Sequence, residues 1–331
     1  MIAQNDIKKI LITGGSGLVG QAIQNVYRYN ENYKMTFLSS KDCNLLDYES
    51  TFNTVKESSP DVVIHLAANV GGMYKNMNSK AQMFEDNIIM NHNIVKACFK
   101  NCVSQFIGTL STCIFPDDTT YPINESMLHD GAPHNSNDAY AYAKRMLDVH
   151  CRSYNERHGT NYSCIIPTNI YGKNDNYDLE DSHVLPALIH KCYIASKERD
   201  AFVVRGTGSA LRQFIYAEDL ARAIIEMIPI IYQQNIIISP SKEYSIKKVA
   251  TTIANLFGVE DSMIFDSTYS DGQHKKTADN SKFMSLLPSF KFTKLKHGLA
   301  AVIPYFIENY NNLRIGKINE RNLWKPNWDF E

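Results

Sequence analysis

The chain has 331 residues, 44% hydrophobic and 21% charged, the composition of a folded globular protein rather than a disordered or fibrous one. Lys plus Arg (34) nearly cancel Asp plus Glu (35), which argues against the broad positive field of a nucleic-acid binder, and no apolar run approaches a membrane span. Seven scattered cysteines without CxxC pairs or a His cluster argue against a disulfide framework and a metal site; a polar N-terminus without a secretory leader leads us to expect a cytosolic protein.

In chain order, residues 9–13, 34–38, 61–66, 105–110 and 162–167 form short β-branched runs separated by segments of helical periodicity. This alternation predicts an α/β fold: a doubly wound parallel sheet whose ligands bind beyond the carboxyl ends of the strands. Cys98 and Cys102, four apart, are expected to fill space in one helix. After Pro167 the pattern loosens into a polar loop over 171–181, a helix over 184–195 and a strand near 201–204. These predict a smaller C-terminal α/β substrate lobe. A strand and helix over 214–228 return towards the first domain. The expected division is therefore 1–170 plus about 213–240 for the Rossmann domain, 171–212 plus 241–315 for the lobe, and 316–331 as a tail.

The first strand runs directly into Gly14, Gly15, Ser16, Gly17, Leu18, Val19 and Gly20, a GxxGxxG pattern before a predicted helix. Glycines allow a tight turn and close backbone approach, and the free amides of the helix N-terminus favour a pyrophosphate. The second strand ends in Ser39-Ser40-Lys41, where a cofactor with a bare ribose diol usually meets a carboxylate. Hydroxyls and the Lys41 cation suit a ribose phosphate better, so NADP (NADPH) is the expected cofactor.

Tyr140 and Lys144 stand one turn apart on a helix predicted to begin near Asn137. The pair follows the glycine loop by about 120 residues and comes after Ser111 at the end of the fourth strand. A phenol beside a cation, which lowers its pKa, can exchange a proton with a carbonyl oxygen while hydride moves, and Ser111 can hydrogen-bond the same oxygen. By strand alternation Cys113 falls on the side of Ser111 and Thr112 points away. His183 precedes the predicted helix at 184.

Together GGSGLVG (14–20), HLAANVGG (65–72), LSTCIFP (110–116), PHNSNDAYAYAKRM (133–146), the stretch 165–191, GTGSALRQFIYAEDLA (206–221) and SDGQHKKT (270–277) resemble the GDP-L-fucose synthase family of the extended short-chain dehydrogenases/reductases. The resemblance covers about residues 9–310. It implies epimerisation of GDP-4-keto-6-deoxy-D-mannose at carbons 3 and 5 and reduction of the 4-keto group by NADPH. Ser111 and Tyr140 would hold the enolate, Cys113 and His183 would move the carbon-bound protons, and Lys144 would bind the nicotinamide ribose. Which of Cys113 and His183 is the base stays open. Pro167, Thr168, Asn169, Ile170 and His183 map onto cofactor contacts; Asn169, Lys191, Arg205, Arg212 and Asp271 map onto the GDP-sugar site. The family commonly has Trp where Arg205 stands; a guanidinium there can stack on guanine or face solvent. The resemblance also implies a homodimer formed through helices of the first domain. Another nucleotide-sugar epimerase or 4,6-dehydratase, or a non-catalytic NADP sensor, are the alternatives. Trp324 and Trp328 in the tail have no family role.

Overall fold

The computed structural model describes residues 8–27 and 32–316; Trp324 and Trp328 lie outside the described residues. The strands are β1 (Lys8–Thr13), β2 (Tyr33–Leu38), β3 (Val62–His65), β4 (Gln105–Thr109), β5 (Asn161–Pro167), β6 (Asn169–Tyr171), β7 (Phe202–Arg205), β8 (Leu211–Tyr216), β9 (Asn235–Ile238), β10 (Glu243–Ser245) and β11 (Met263–Asp266). The helices that matter below are α1 (Leu18–Val26), α2 (Tyr48–Ser58), α3 (Met73–Asn78), α4 (Lys80–Lys100), α5 (Asp138–His158), α6 (Val184–Glu198) and α7 (Ala217–Met227).

Six strands pair in parallel in the order β2-β1-β3-β4-β5-β9. Both faces of this sheet are covered, which is why β3 and β4 are buried along almost their whole length rather than at alternate residues. Leu11, Val63 and Phe106 pack with Ile94 of α4 and Leu147 of α5 on one face. Ile10, Ile12, Ile64 and Ile107 pack with Ile23 of α1 and Leu220 and Ile224 of α7 on the other. The chain steps from β1 outward to β2 and then back past β1 to β3, so the strand order reverses between β1 and β3. A crevice opens at such a reversal, and Gly14 leaves β1 there.

The segment 214–228 divides between two layers. Strand β8 lies between β10 and β6 in a separate small sheet, whereas α7 packs against α1 on the main sheet. The sixth strand of the main sheet is β9, a short Ile-rich run that sequence periodicity passed over. Around the small sheet a third core gathers Tyr177, Leu188, Phe202, Phe214, Val249 and Phe306. The expectation for the cysteine pair is corrected: Cys98 is buried in α4, but the helix ends at Lys100 and Cys102 is exposed beyond it with φ 55°. The amide of Val103 returns to the carbonyl of Cys98 at 3.0 Å, so Cys102 occupies the left-handed position that turns the chain towards β4.

One buried carboxylate holds α5 to the sheet. Asp148 is 1% exposed and accepts from His129 Nε2 at 2.7 Å, Arg152 Nε at 3.0 Å and Asn235 Nδ2 at 2.6 Å. It ties the middle of α5 to the start of β9. Replacing it removes the buried partner of Asn235 and frees His129 and Arg152, which are exposed, to water. Asp148→Ala is expected to cost about 2 kcal/mol of stability, read as a lower denaturant midpoint at unchanged slope.

Candidate active site

The glycine loop is built for backbone approach. Gly14 has φ +72°, and a Cβ there would lie 2.7 Å from the amide nitrogen of Ala67 on the loop after β3. A Cβ on Gly15 would meet Phe37 at 2.6 Å, and one on Gly20 would meet the carbonyl oxygens of Gly15 and Gly14 at 2.5 and 2.6 Å. Helix α1 begins after Gly17 with no side-chain cap and no acidic residue in its first turn. Its positive end therefore stays available to an anion at the place where the sheet opens. At the end of β5, Thr168 is 4% exposed and its hydroxyl has no hydrogen-bond partner among the described residues. A side-chain-free cradle, an uncapped helix and an unmatched hydroxyl all fit a bound dinucleotide. Pro167 is buried beside Thr168, Ile170 is half-buried in β6, and Asn169 donates to the carbonyl of Gln213 at 2.9 Å.

At the end of β2, Lys41 is exposed and its amide bonds to Ser39 Oγ at 3.2 Å. Sequence reasoning missed Asp42, which accepts from the amide and hydroxyl of Ser39 at 2.7 and 2.6 Å. Those bonds hold its carboxyl below the usual range. The carboxylate is thus turned onto its own loop, one residue beyond the position where the absence of an acid was noted.

Ser111 follows β4 in an extended conformation and starts a 3-10 turn, its Oγ accepting from the amide of Cys113 at 3.4 Å. That turn leaves Thr112 buried and brings Cys113 back towards Ser111. Arg145 fastens the turn from behind, donating to the carbonyls of Ile114 at 2.6 Å and Gly131 at 2.7 Å. Tyr140 and Lys144 lie on the buried side of α5, at 7% and 1% exposure. Lys144 Nζ donates to the carbonyl of Thr109 at 3.0 Å and lies 5.9 Å from the Tyr140 ring centre.

The cation therefore lies over the phenol ring. Burial, with the neighbouring Cys113 second, raises the Tyr140 pKa, opposite to the lowering expected from the sequence spacing. The phenol stays protonated at neutral pH, as a proton donor must. Lys144 carries the cost: burial lowers it to about 8, with Cys113 and Cys164 pulling weakly the other way.

His183 sits at the N-terminus of α6, at the end of a pinned loop. Gly72, just before α3, donates its amide to Asp181 O at 2.7 Å, and Lys75 pairs with Asp181 at 3.7 Å. Farther back, the amide of Tyr177 bonds to Arg314 O at 2.8 Å. The His183 side chain is exposed to solvent, yet desolvation by the atoms packed around it lowers its pKa, with Lys276 adding to the effect. Cys113 is shifted upward by burial, opposed by Lys276, Ser111 and Lys144.

Lys276 is thus close enough to act on both Cys113 and His183, and sequence reasoning did not single it out. Its segment is fixed between β8 and the loop before residue 123. Arg212 donates to the carbonyls of Gln273 at 2.6 Å and His274 at 3.4 Å, and Tyr121 OH donates to Lys275 O at 2.6 Å. The only available signal was a pair of lysines four and five residues after Asp271.

The remaining sequence-selected residues gather on the smaller lobe. Asp271 accepts from the amides of Thr207 at 2.8 Å and Gly208 at 3.3 Å and from both nearby hydroxyls of Thr207 and Ser209, so it clamps the loop after β7. Arg205, at the end of β7, is exposed, and its guanidinium lies 4.6 Å over the ring of Tyr269. Lys191 on α6 is half-buried, its pKa lowered to about 8 by burial and then by Arg205. Lys191, Arg205, Arg212 and Lys276 make this wall cationic.

A glycine cradle at the strand reversal, with a serine, a buried tyrosine and a buried lysine beside it, defines a dinucleotide-dependent enzyme of the extended short-chain dehydrogenase/reductase class. Residues 10–256 match the model of the NAD dependent epimerase/dehydratase family. The chain is 44% identical to the GDP-L-fucose synthase of Dictyostelium discoideum over 93% of its own length and 98% of that protein's. It is 39% identical to the probable GDP-L-fucose synthase of Drosophila melanogaster over 93% of its length and 100% of that protein's. The crystal structure of a GDP-L-fucose synthetase from Naegleria fowleri bound to NADP superposes with TM-score 0.87 at 42% identity, covering 95% of this chain and 96% of that one. The chain belongs to the NAD dependent epimerase/dehydratase family and, within it, to the GDP-L-fucose synthases.

The burial of Lys144 has a measurable consequence. Its folded pKa, about 8, lies below the ordinary value of 10.5, so the charged form is penalised in the folded state. The penalty is fully present below about 8 and fades as pH rises towards 10.5. Lys144→Met is expected to be more stable than the parent at pH 7 by roughly 3 kcal/mol, with the gap closing by about pH 10. Thermal scans of both proteins across that range measure it.

Proposed function

We propose that the chain is a cytosolic, NADPH-dependent epimerase and reductase that converts GDP-4-keto-6-deoxy-D-mannose into GDP-L-fucose. The observation that carries this reading is the grouping of Ser111, Cys113, Tyr140 and Lys144 at the end of β4, with His183 and Cys113 both within the influence of Lys276. The NADP-bound Naegleria synthetase supports the choice of cofactor. When bound, the dinucleotide supplies a hydride.

The protein's part is proton handling and orientation. A base removes a proton from carbon beside the ketone, and Ser111 and Tyr140 donate to the oxygen that gains charge. An acid on the opposite face then returns a proton to that carbon, inverting it. The directions of the pKa shifts leave a protonated thiol at Cys113 and a neutral imidazole at His183 near pH 7. Between them the two side chains hold a proton to give and a lone pair to take one. After both carbons are inverted, hydride adds to carbon 4 and the Tyr140 hydroxyl gives its proton to the resulting alkoxide. In the proposed roles, Lys144 and His183 contact the cofactor, as do the glycine loop, Lys41 and the 167–170 segment.

The lobe made of 171–212 and 241–315 takes the GDP-sugar in this reading. Lys191 and Arg212 face the diphosphate, Asn169 the sugar, and Asp271 holds the loop that shapes the pocket. Arg205, backed by Tyr269, offers guanine a flat cationic surface in place of the usual indole. A dinucleotide sensor would have no use for a buried tyrosine and lysine that cost stability. An acidic residue is usual in the dehydratases where this chain has Cys113.

We also propose a homodimer. Phe84 and Ile89 on α4 and Tyr142 and Met146 on α5 are 39–41% exposed, an apolar set on adjoining helices of the first domain. Sedimentation is expected to give twice the chain mass for the parent and the single mass for Met146→Glu.

Incubation with the keto-sugar and NADPH, followed by NMR of the product, is expected to give the doubly inverted 6-deoxy sugar. Cys113→Ser should lower deuterium uptake from solvent at the inverted carbons by roughly 10²-fold while NADPH affinity stays within about twofold. Unchanged deuterium uptake in that variant removes the thiol from the chemistry.

A further inference from the structure

One fully buried titratable side chain has no part in the chemistry above. His65 ends β3 at 0% exposure, and each of its ring nitrogens has a partner. Nδ1 lies 2.7 Å from Thr13 Oγ1 and Nε2 lies 3.0 Å from Asn91 Oδ1. The contacts continue at both ends: the amide of Ala67 donates to Thr13 Oγ1 at 3.4 Å, and Asn91 Nδ2 donates to the carbonyl of Ala143 at 3.3 Å.

The protons can be assigned along this line. A carbonyl only accepts, so Asn91 must turn its NH2 to Ala143 and its oxygen to His65. Nε2 then carries the ring hydrogen, and bare Nδ1 accepts from the Thr13 hydroxyl, whose oxygen accepts from Ala67. Every group is matched with the imidazole neutral and in a single tautomer. Burial and the nearby Lys144 charge keep it neutral by lowering its pKa to about 3. An apolar side chain could fill the same space without burying these groups, so the line's use lies in orientation.

Its ends fall at two separate places. Thr13 is the residue before Gly14, and Ala67 is the residue against which Gly14 is packed. Ala143 is the residue before Lys144. We propose that His65, with Thr13 and Asn91, is a positioning element that fixes the glycine loop relative to the Lys144 turn of α5, and so sets the spacing between the two anchors of the dinucleotide. This rests on the reading above only in giving Lys144 to the nicotinamide ribose. Both anchors grip one molecule of fixed length, so a small change in their separation weakens both grips.

The test is a double-mutant cycle on NADPH affinity, followed by fluorescence with no sugar present. Thr13→Val, which removes the hydroxyl at nearly constant size, is expected to weaken NADPH about tenfold, and Thr13→Ser to keep it within about twofold. In the Lys144→Met background, Thr13→Val should cost less than about threefold, because the line acts through the lysine turn. Unchanged affinity in Thr13→Val, or equal losses in the two backgrounds, would overturn the proposal and leave the line a packing feature. Should Thr13→Val fail to fold, Asn91→Leu interrupts the far end and is read by the same cycle. Absence of keto-sugar turnover in the parent would sink the reaction assigned above while leaving this cycle readable.

Discussion

The site is organised around an ammonium group placed where water cannot reach it. Lys144 is 1% exposed, and a single carbonyl, that of Thr109, takes a hydrogen bond from it among the described contacts. Such a charge is tolerated only if the backbone around it cannot relax away. The surrounding architecture provides that rigidity: Asp148 fastens α5 to β9, Arg145 grips the turn after β4, and the parallel sheet fixes Thr109 itself. Stability is given up at one point so that a cation stands beside a phenol and the dinucleotide crevice.

The same rigidity holds segments from distant parts of the chain in fixed places. Ser111 and Cys113 come from the end of a central strand, whereas His183 comes from a loop between lobes. That loop has no regular structure of its own. It is held by backbone bonds from Gly72 on one side and Arg314 on the other, so its position follows from both lobes at once. Burial lowers the pKa of Lys191 and Lys276 on the smaller lobe, and the neighbouring Arg205 and Arg212 respectively lower them further, a cost that a polyanionic ligand would relieve.

Much of this was legible in the sequence because it depends on local rules. The glycine run announced the turn after β1, since only glycine allows the approach of Ala67 and the φ of Gly14. The spacing of Tyr140 and Lys144 put them on one side of a helix. What stayed hidden depends on contacts between distant residues. Burial outweighing the lysine at Tyr140 is a property of packing, as is the pairing of Asp42 with Ser39. Lys276 could not be connected with Cys113 and His183 because strand β8 and Tyr121 bring its segment there, more than 150 residues along the chain from Cys113. Strand β9 was missed for a related reason: four residues are too few to display a period, and their place is dictated by β5.

The late arrival of β9 has a bearing on how the polypeptide is made. When the ribosome has released residues up to 167, five of the six main strands exist, and β5 forms an open border rich in isoleucine. It stays open until 235–238 emerges, after the first segment of the smaller lobe, 171–212, has been synthesised. A nascent chain halted in that interval presents an unpaired edge to its neighbours on the polysome. Cutting the gene at the apparent end of the first domain would preserve this vulnerability permanently, because the strand that closes the sheet is encoded beyond the first segment of the smaller lobe.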